Sequence, residues 1–193
     1  MNELEWSKIV QRYVNEFLQK NKNNSNLEML IGAKLPYGYE ILEYTEDEPS
    51  DSKYISYETD LLIVENKPRS VWTPRVVIEC KINSVTTHDA ITYSEKASTH
   101  KRVHPYLRYG IILGNRGTYP LPGRLFRHGL HFDFMASWID FEPTENELNI
   151  LTAILLDETK ASRKLQKMIF ESQSSSRKRY TALHRPLRLI ESL

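Results

Sequence analysis

Residues 76–82, VVIECKI, place an acid and a base inside a segment that otherwise has the composition of a buried strand. Runs of β-branched residues of this kind favour strands that are packed on both faces. Ionised side chains are costly in such a place unless they are paired or bind something. Residues two apart in a strand share a face, so Glu79 and Lys81 project together and Cys80 projects to the other side. The segment predicts a central strand that presents two charges on one face.

The segments before 76–82 predict an antiparallel meander. The pattern indicates strands at 38–44 and 56–65 with an acidic loop, 45–53, between them. Residues 66–74 contain two prolines, which favours a turn rather than a central strand. This turn would join the strand at 56–65 to VVIECKI as a hairpin.

The segments after VVIECKI predict a parallel crossover. Residues 88–104 lack Gly and Pro and indicate a helix, and the apolar segment 107–115 indicates a buried strand. A strand, a helix and a further strand favour a parallel pair joined by a right-handed connection. A Gly- and Pro-rich loop follows at 115–123, and 129–141 supplies a further strand with irregular ends.

Helices are predicted at both ends of the chain. Apolar residues at spacings of three and four indicate a helix from about Glu3 to Lys20. Thr144 and Glu147 have the spacing of a capping box, and they open a long helix at 145–170. The fold class is therefore α/β: a mixed sheet flanked by helices, with a long C-terminal helix. We expect one domain at 1–172 and a basic C-terminal segment at 173–193.

Composition narrows the class of protein. The 193 residues are 40% hydrophobic and 26% charged, which is typical of one globular domain. The net charge of +1 hides an asymmetry, because acids concentrate at 40–60 and bases near the end; such segregation fits a nucleic-acid-binding surface or, alternatively, solvated faces. A single cysteine excludes an internal disulfide and fits a reducing compartment. No apolar run approaches the roughly 18 residues of a membrane span, so we expect a cytoplasmic protein with no membrane partner.

Asp60 gives the two charges of VVIECKI a chemical partner. It lies in the preceding predicted strand, where hairpin register can bring it beside Glu79. Two close carboxylates repel one another unless a cation separates them, and hard oxygen ligands suit Mg²⁺. Lys81 beside the ion could stabilise a pentavalent phosphorus transition state or help to deprotonate an attacking water. The group is suited to phosphodiester hydrolysis.

Asp60 in YETDLLI, followed by Glu79 and Lys81 in IECKI, resembles the D-(x)n-ExK signature of the PD-(D/E)XK nuclease superfamily, which includes many restriction endonucleases. The surrounding order of a helix, a hairpin, a helix and a strand is similar over roughly residues 3–115. The resemblance implies a restriction endonuclease-like fold in which Asp60, Glu79 and the Cys80 backbone carbonyl hold Mg²⁺, or Mn²⁺ as a substitute. It implies Lys81 as the catalytic base helper.

Two further acids are candidates for the metal site. Several members of the superfamily use a Glu from the first helix, and Glu16 is the candidate here. Glu58 lies on the same face of the predicted strand as Asp60 and is an alternative to it. The proline that gives the motif its first letter does not precede Asp60.

DNA contacts are expected from bases outside the acid pair. Lys96 is the candidate for a phosphate contact on the helix after ExK, although a solvated polar face is an alternative. The remaining candidates lie on that helix, in the following loop and in the tail: Lys101, Arg116, Arg124, Arg177, Lys178 and Arg179.

The function expected from the resemblance is a Mg²⁺-dependent endonuclease that cuts DNA, with a type II restriction endonuclease as the first role. Cutting both strands of a duplex asks for a homodimer. The alternatives are a repair or recombination nuclease of the same fold, or a non-catalytic nucleic-acid-binding module. For Glu79 and Lys81 the alternative is an edge strand whose charges pair with each other or with solvent.

Overall fold

The computed structural model describes residues 1–20, 24–176, 180–184 and 186–190. The strands are β1 (Leu27–Ile31), β2 (Lys34–Thr45), β3 (Glu48–Glu58), β4 (Leu61–Lys67), β5 (Val71–Ile82), β6 (Arg108–Gly114) and β7 (Phe134–Ser137). The helices are α1 (Glu3–Lys20), α2 (Thr87–Val103), α3 (Gly123–His128) and α4 (Glu145–Glu171).

Five strands form one mixed sheet in the order β1-β4-β5-β6-β7. The pairs β1/β4 and β4/β5 are antiparallel, and β5/β6 and β6/β7 are parallel. Helices α1 and α4 pack on one face, while α2 and α3 pack on the other. The α/β class, the mixed sheet and the long C-terminal helix are confirmed, and so is the parallel crossover from β5 through α2 to β6.

The VVIECKI segment is central, as its composition predicts. It forms the last part of β5, between β4 and β6, and residues 76–80 are fully buried. Val76, Ile78 and Cys80 face the core under α1 and α4, and Val77 faces the core under α2. Glu79 therefore points to the α2 side, in a part of the sheet where an ionised group has no direct access to water.

Helix α1 is fixed against the sheet by a tryptophan. The Trp6 indole Nε1 donates to the Phe141 carbonyl oxygen at 3.0 Å, and its ring meets Trp138 edge to face at 5.7 Å between centroids. A β-carbon on Gly114 would lie 2.4 Å from the Trp6 ring, so the close approach of α1 to the end of β6 requires glycine there. The predicted capping box at Thr144 opens α4 as expected.

The predicted acidic loop at 45–53 is wrong. Only residues around Glu46 turn, and the rest continue as β2 and β3, a separate two-stranded hairpin. The positive φ of Glu46, 56°, marks the tight turn at its tip. Charged residues conceal a strand here because both strands are exposed to solvent and need no apolar run.

The single predicted strand at 56–65 and the predicted turn at 66–74 also need correction. Thr59 and Asp60 interrupt the predicted strand and separate β3 from β4. Only residues 68–70 separate β4 from β5. Pro74 lies inside β5, where a register shift between Ile63 and Val64 forms a bulge. Pairing with β6 begins only at Val76, so the missing N–H of Pro74 leaves no sheet hydrogen bond unmade on that side.

Two elements carry no clear sequence signal. Strand β1 has five residues and follows the polar tract at 21–26, and α3 has six residues that begin at the last residue of the predicted loop at 115–123. Within the described ranges, no helix has the length and apolar character needed to span a membrane.

Candidate active site

Asp60 and Glu79 meet at the start of β4. Leu61 pairs with Ile78, so the next position outward places Asp60 opposite Glu79. The Asp60 carboxylate is half-buried, and its Oδ2 accepts a hydrogen bond of 2.8 Å from the backbone N–H of Cys80. The predicted hairpin register therefore brings the two acids together, and the main chain at Cys80 borders both.

Glu79 is a buried acid with one satisfied oxygen and one free oxygen. Its Oε1 accepts a hydrogen bond from the Tyr109 hydroxyl and lies 2.9 Å from Lys96 Nζ. Its Oε2 has no hydrogen-bond partner among the described residues. Burial raises the pKa of Glu79, and the negative charge of Asp60 raises it further, while Lys96 opposes both.

The carboxylate oxygens of Asp60 and Glu79 fit a divalent cation. An unpartnered buried carboxylate oxygen beside a second carboxylate is costly without a positive charge to receive both. Within the described residues no group of three or more His, Cys, Asp and Glu side chains is placed to hold a metal. Asp60 and Glu79 offer two carboxylates, and such a sparse oxygen set suits Mg²⁺ because this ion keeps several waters and shares substrate phosphate oxygens.

Lys81 shares the α2 side of the sheet with Glu79. Its Nζ lies 3.0 Å from Glu3 Oε2 and 4.7 Å from the centre of the Tyr93 ring. Burial works to lower the pKa of Lys81, but Tyr93 and Glu3 outweigh it and raise the pKa above its ordinary value. The amine is therefore charged at neutral pH. This state suits stabilisation of negative charge on phosphorus, and it disagrees with the expected role of Lys81 in taking a proton from water.

Lys96 lies inside this group instead of on the DNA-facing surface expected for a backbone contact. Its side chain is 15% exposed and spans from Glu79 Oε1 to the backbone oxygen of Glu58, at 3.1 Å. Side chains from the middle of α2 reach β5, Lys96 at Glu79 and Tyr93 at Lys81, which brings the middle of the helix over the buried acid. A lysine there compensates the charge of Glu79.

The structure does not bring Glu16 to the acids. Glu3 is the α1 acid that reaches the site, through Lys81. Glu16 is exposed and lies 13 residues further along α1, about 20 Å away along the helix axis. Glu58 ends β3 with an exposed side chain, and its backbone oxygen accepts the hydrogen bond from Lys96.

The other expected DNA-contacting bases that lie in the described ranges have partners within the protein. Lys101 pairs with Asp133 at 2.8 Å and donates to the His131 carbonyl oxygen at 2.6 Å, at the far end of α2 from Glu79. Burial lowers the pKa of Lys101, against the opposing effect of Asp133. The lysine thus ties α2 to the segment before β7, and it is not a free cation for DNA.

Arg116 and Arg124 lie around the loop that follows VVIECKI. Arg116 donates to the backbone oxygens of Asn83 and Pro120, the latter at 3.2 Å, and Arg124 donates to that of Val85 at 2.9 Å. Both guanidinium groups therefore lie near the end of β5 that carries Lys81. The candidates Arg177, Lys178 and Arg179 lie outside the described residues.

Sequence reasoning missed two residues that complete the site. Tyr109 lies in β6, and its hydroxyl reaches across to Glu79. A lone tyrosine in an otherwise aliphatic buried strand was the available signal, because a buried hydroxyl needs a partner. Glu3 lies in the first turn of α1, where the helix dipole alone favours an acid. Its presence there therefore does not predict its contact with Lys81.

No known protein family model and no curated protein matches the sequence.

Proposed function

We propose that the protein is a metal-dependent endonuclease of the PD-(D/E)XK type that hydrolyses DNA phosphodiester bonds. One observation carries this proposal: Asp60, directly before β4, lies beside the buried, half-satisfied Glu79 of β5, and Lys81 follows on the same side of β5. A structural role for these charges would leave Glu79 Oε2 without a partner, at a cost of roughly 1–3 kcal/mol or more. Binding of a cation by Asp60 and Glu79 removes that cost.

Asp60, Glu79 and the carbonyl of Cys80 would hold Mg²⁺, with Mn²⁺ as a substitute. When bound, the ion supplies an activated water and stabilises negative charge on the phosphoryl oxygens. Lys81 holds a positive charge next to the phosphate that is attacked. Tyr109 and Lys96 orient Glu79 through one oxygen, which leaves the other for the cation.

The proposed substrate is double-stranded DNA, and the proposed role is that of a type II restriction endonuclease acting as a two-fold dimer. Arg116 and Arg124 support this substrate, because they place positive charge around the loop that directly follows Lys81. A duplex phosphate in the site would bring its neighbouring phosphates within reach of these side chains.

The test is cleavage of plasmid and unmethylated phage DNA by the wild-type chain and by Lys81→Ala, with Mg²⁺, with Mn²⁺ and with EDTA. We expect discrete fragments from the wild-type chain with either metal, and none with EDTA or from Lys81→Ala. Lys164→Ala, which removes an exposed lysine of α4, is the matched control and should cut like the wild-type chain.

The products separate the alternatives. Nicking, or cutting that depends on DNA structure rather than on sequence, would indicate a repair or recombination nuclease. Binding of DNA without metal-dependent cleavage would indicate a non-catalytic nucleic-acid-binding module and would overturn the proposed activity.

A further inference from the structure

The β2–β3 hairpin extends from the body of the protein. Its base is anchored: Leu35 is buried, and the rings of Tyr37 and Tyr57 stack at 3.8 Å between centroids next to His100 of α2. Beyond Gly38 the hairpin residues are exposed, apart from Ile55, which is half-buried. An isolated two-stranded hairpin is marginally stable in water at best, so this distal part would gain stability from a partner that covered it.

The two faces of the distal hairpin differ in chemistry. Tyr39 pairs with Tyr54 across the strands, and Ile41 and Tyr44 continue the same face; these four side chains are 38–66% exposed. The opposite face carries acids, including the cross-strand pair of Glu43 and Asp51. One face is therefore apolar and aromatic, and the other is negatively charged.

Charge restricts which partner fits this surface. Residues 34–58 contain seven acids and two lysines, a net charge of −5. Such a surface repels nucleic acid and attracts a basic polypeptide. Both strands also have a free edge, because the hairpin forms a sheet of only two strands, so an extended segment can add to it through main-chain hydrogen bonds.

The C-terminal segment 173–193 has the complementary chemistry. It contains five Arg and Lys residues and one acid, a net charge of +4. Its apolar side chains Leu183, Leu187, Leu189 and Ile190 are 58–87% exposed. The sequence Leu187-Arg188-Leu189 alternates apolar and basic residues, which in an extended strand puts leucines on one face and the arginine on the other.

We propose that the C-terminal segment of one copy docks along the β2–β3 hairpin of a second copy, and that two such contacts form a dimer. The leucines would cover the tyrosine face while the arginines pair with the acidic face. The partner is a second copy because in a single chain both surfaces are uncovered: residues 180–184 and 186–190 are exposed, and so is the distal hairpin. This inference does not depend on the proposed nuclease activity.

The experiment measures molar mass in solution by sedimentation for the full chain and for two charge-reversal variants. The hairpin variant carries Glu40→Lys, Glu43→Lys and Asp51→Lys, and the tail variant carries Arg185→Glu and Arg188→Glu. We expect the wild-type chain to be a dimer, and each variant to raise the dimer dissociation constant at least tenfold. Because the attraction is electrostatic, raising the ionic strength from about 0.01 M to about 1 M, where the Debye length falls from roughly 30 Å to 3 Å, should also dissociate it.

Combining both reversals in one chain puts opposite charges at the substituted positions again and should restore part of the dimer affinity. Glu16→Lys and Lys164→Glu, exposed positions on α1 and α4, are the controls and should leave the mass unchanged. Circular dichroism checks that every variant is folded. A monomeric wild-type chain, a dimer that both reversals leave intact, or a tail reversal that weakens DNA binding without changing the mass would each overturn the proposal.

Discussion

The phenol of Tyr109 and the carboxylate of Glu79 form a buried hydrogen bond between neighbouring parallel strands, and this bond determines which Glu79 oxygen stays free. Burial raises the pKa of the Tyr109 hydroxyl, and the charge of Glu79 adds to the shift, so the phenol stays protonated and acts as a donor. The tyrosine positions the acid without itself contacting a substrate.

Tyr109→Phe should weaken metal binding and slow cleavage by 10- to 100-fold, the usual effect of removing a group that orients a ligand. The cost in unfolding free energy should be about 1.5–3 kcal/mol, since one neutral-to-charged hydrogen bond is lost. Calorimetric titration with Mn²⁺ and single-turnover cleavage measure the two effects. Tyr106→Phe, at a half-buried tyrosine before β6, is the matched control and should leave metal affinity unchanged.

Asp60→Asn should abolish cleavage and yet stabilise the metal-free protein. The amide oxygen still accepts the bond from the Cys80 N–H, while the charge that raises the pKa of Glu79 disappears. The melting temperature of the metal-free protein should therefore rise, because the like-charge repulsion between the two carboxylates is removed. Thermal unfolding with and without Mn²⁺ measures it. If Mn²⁺ still raised the melting temperature of Asp60→Asn as it raises that of the wild-type chain, Asp60 would not be a ligand.

Glu3→Gln tests which acid of α1 serves the site. Removing the Glu3 carboxylate frees Lys81 to contact phosphate. A half-exposed ion pair is worth about 0.5–1 kcal/mol, and DNA binding no longer has to break it, so DNA affinity should rise about two- to fivefold. Fluorescence anisotropy with a DNA duplex in Ca²⁺ reports this change. Glu16→Gln should have no effect, and equal effects of the two substitutions would contradict the structural assignment.

Lys96→Ala should make stability depend more strongly on pH. Burial already raises the pKa of Glu79, and loss of Lys96 raises it further. An acid whose folded-state pKa is above its unfolded value of 4.5 keeps its proton to higher pH in the folded state. Stability therefore falls as pH rises from 4.5 through the raised pKa of folded Glu79.

The loss at neutral pH should be roughly 3 kcal/mol, as for other broken buried pairs, and it should vanish in acid, where Glu79 is neutral in both proteins. Urea unfolding from acid to neutral pH follows the difference. Lys96→Arg retains the positive charge and should recover most of the stability; a loss that is the same at every pH would rule out Glu79 as the cause.

Glu65→Gln should lower stability without touching the proposed chemistry. Glu65 pairs with Arg75 at 2.6 Å and Arg163 at 2.8 Å. Burial opposes the shift, but the two arginines lower the pKa of Glu65, so the stabilisation is present above the unfolded value of 4.5 and is lost as pH falls through the lowered pKa. Unfolding free energies should fall by about 3 kcal/mol at neutral pH. Mn²⁺ affinity should be unchanged.

Hydrophobic pattern was sufficient to place the centre of this fold. The β-branched run at 76–82 and the uninterrupted segment at 88–104 predict β5, α2 and their parallel crossover, because buried strands and helices leave strong periodic signals. A strand that is exposed on both faces shows no such pattern, which is why the first half of β3 predicts an acidic loop. Pro74 predicts a turn but lies within β5. A bulge accommodates it there, and at that point β5 pairs with β4 and not yet with β6.

The acids of the candidate site followed from strand register, whereas the identity of their supporting residues did not. Asp60 faces Glu79 because antiparallel pairing is periodic and local in sequence. The position of Lys96 depends instead on the path of α2 across the sheet, and that of Tyr109 on the stagger between β5 and β6. Both are properties of tertiary packing, which single residues do not encode.

The crossover from β5 through α2 to β6 also bears on how the site assembles during folding. Glu79, Lys96 and Tyr109 belong to one contiguous stretch of chain, and Asp60 lies just ahead of it. Closing short loops costs little entropy, so contacts of low sequence separation form readily. Glu3, which pairs with the neighbouring Lys81, comes from a distant part of the chain. Residues 60–109 therefore carry Asp60, Glu79, Lys96 and Tyr109 as one unit, within which substitutions are constrained together.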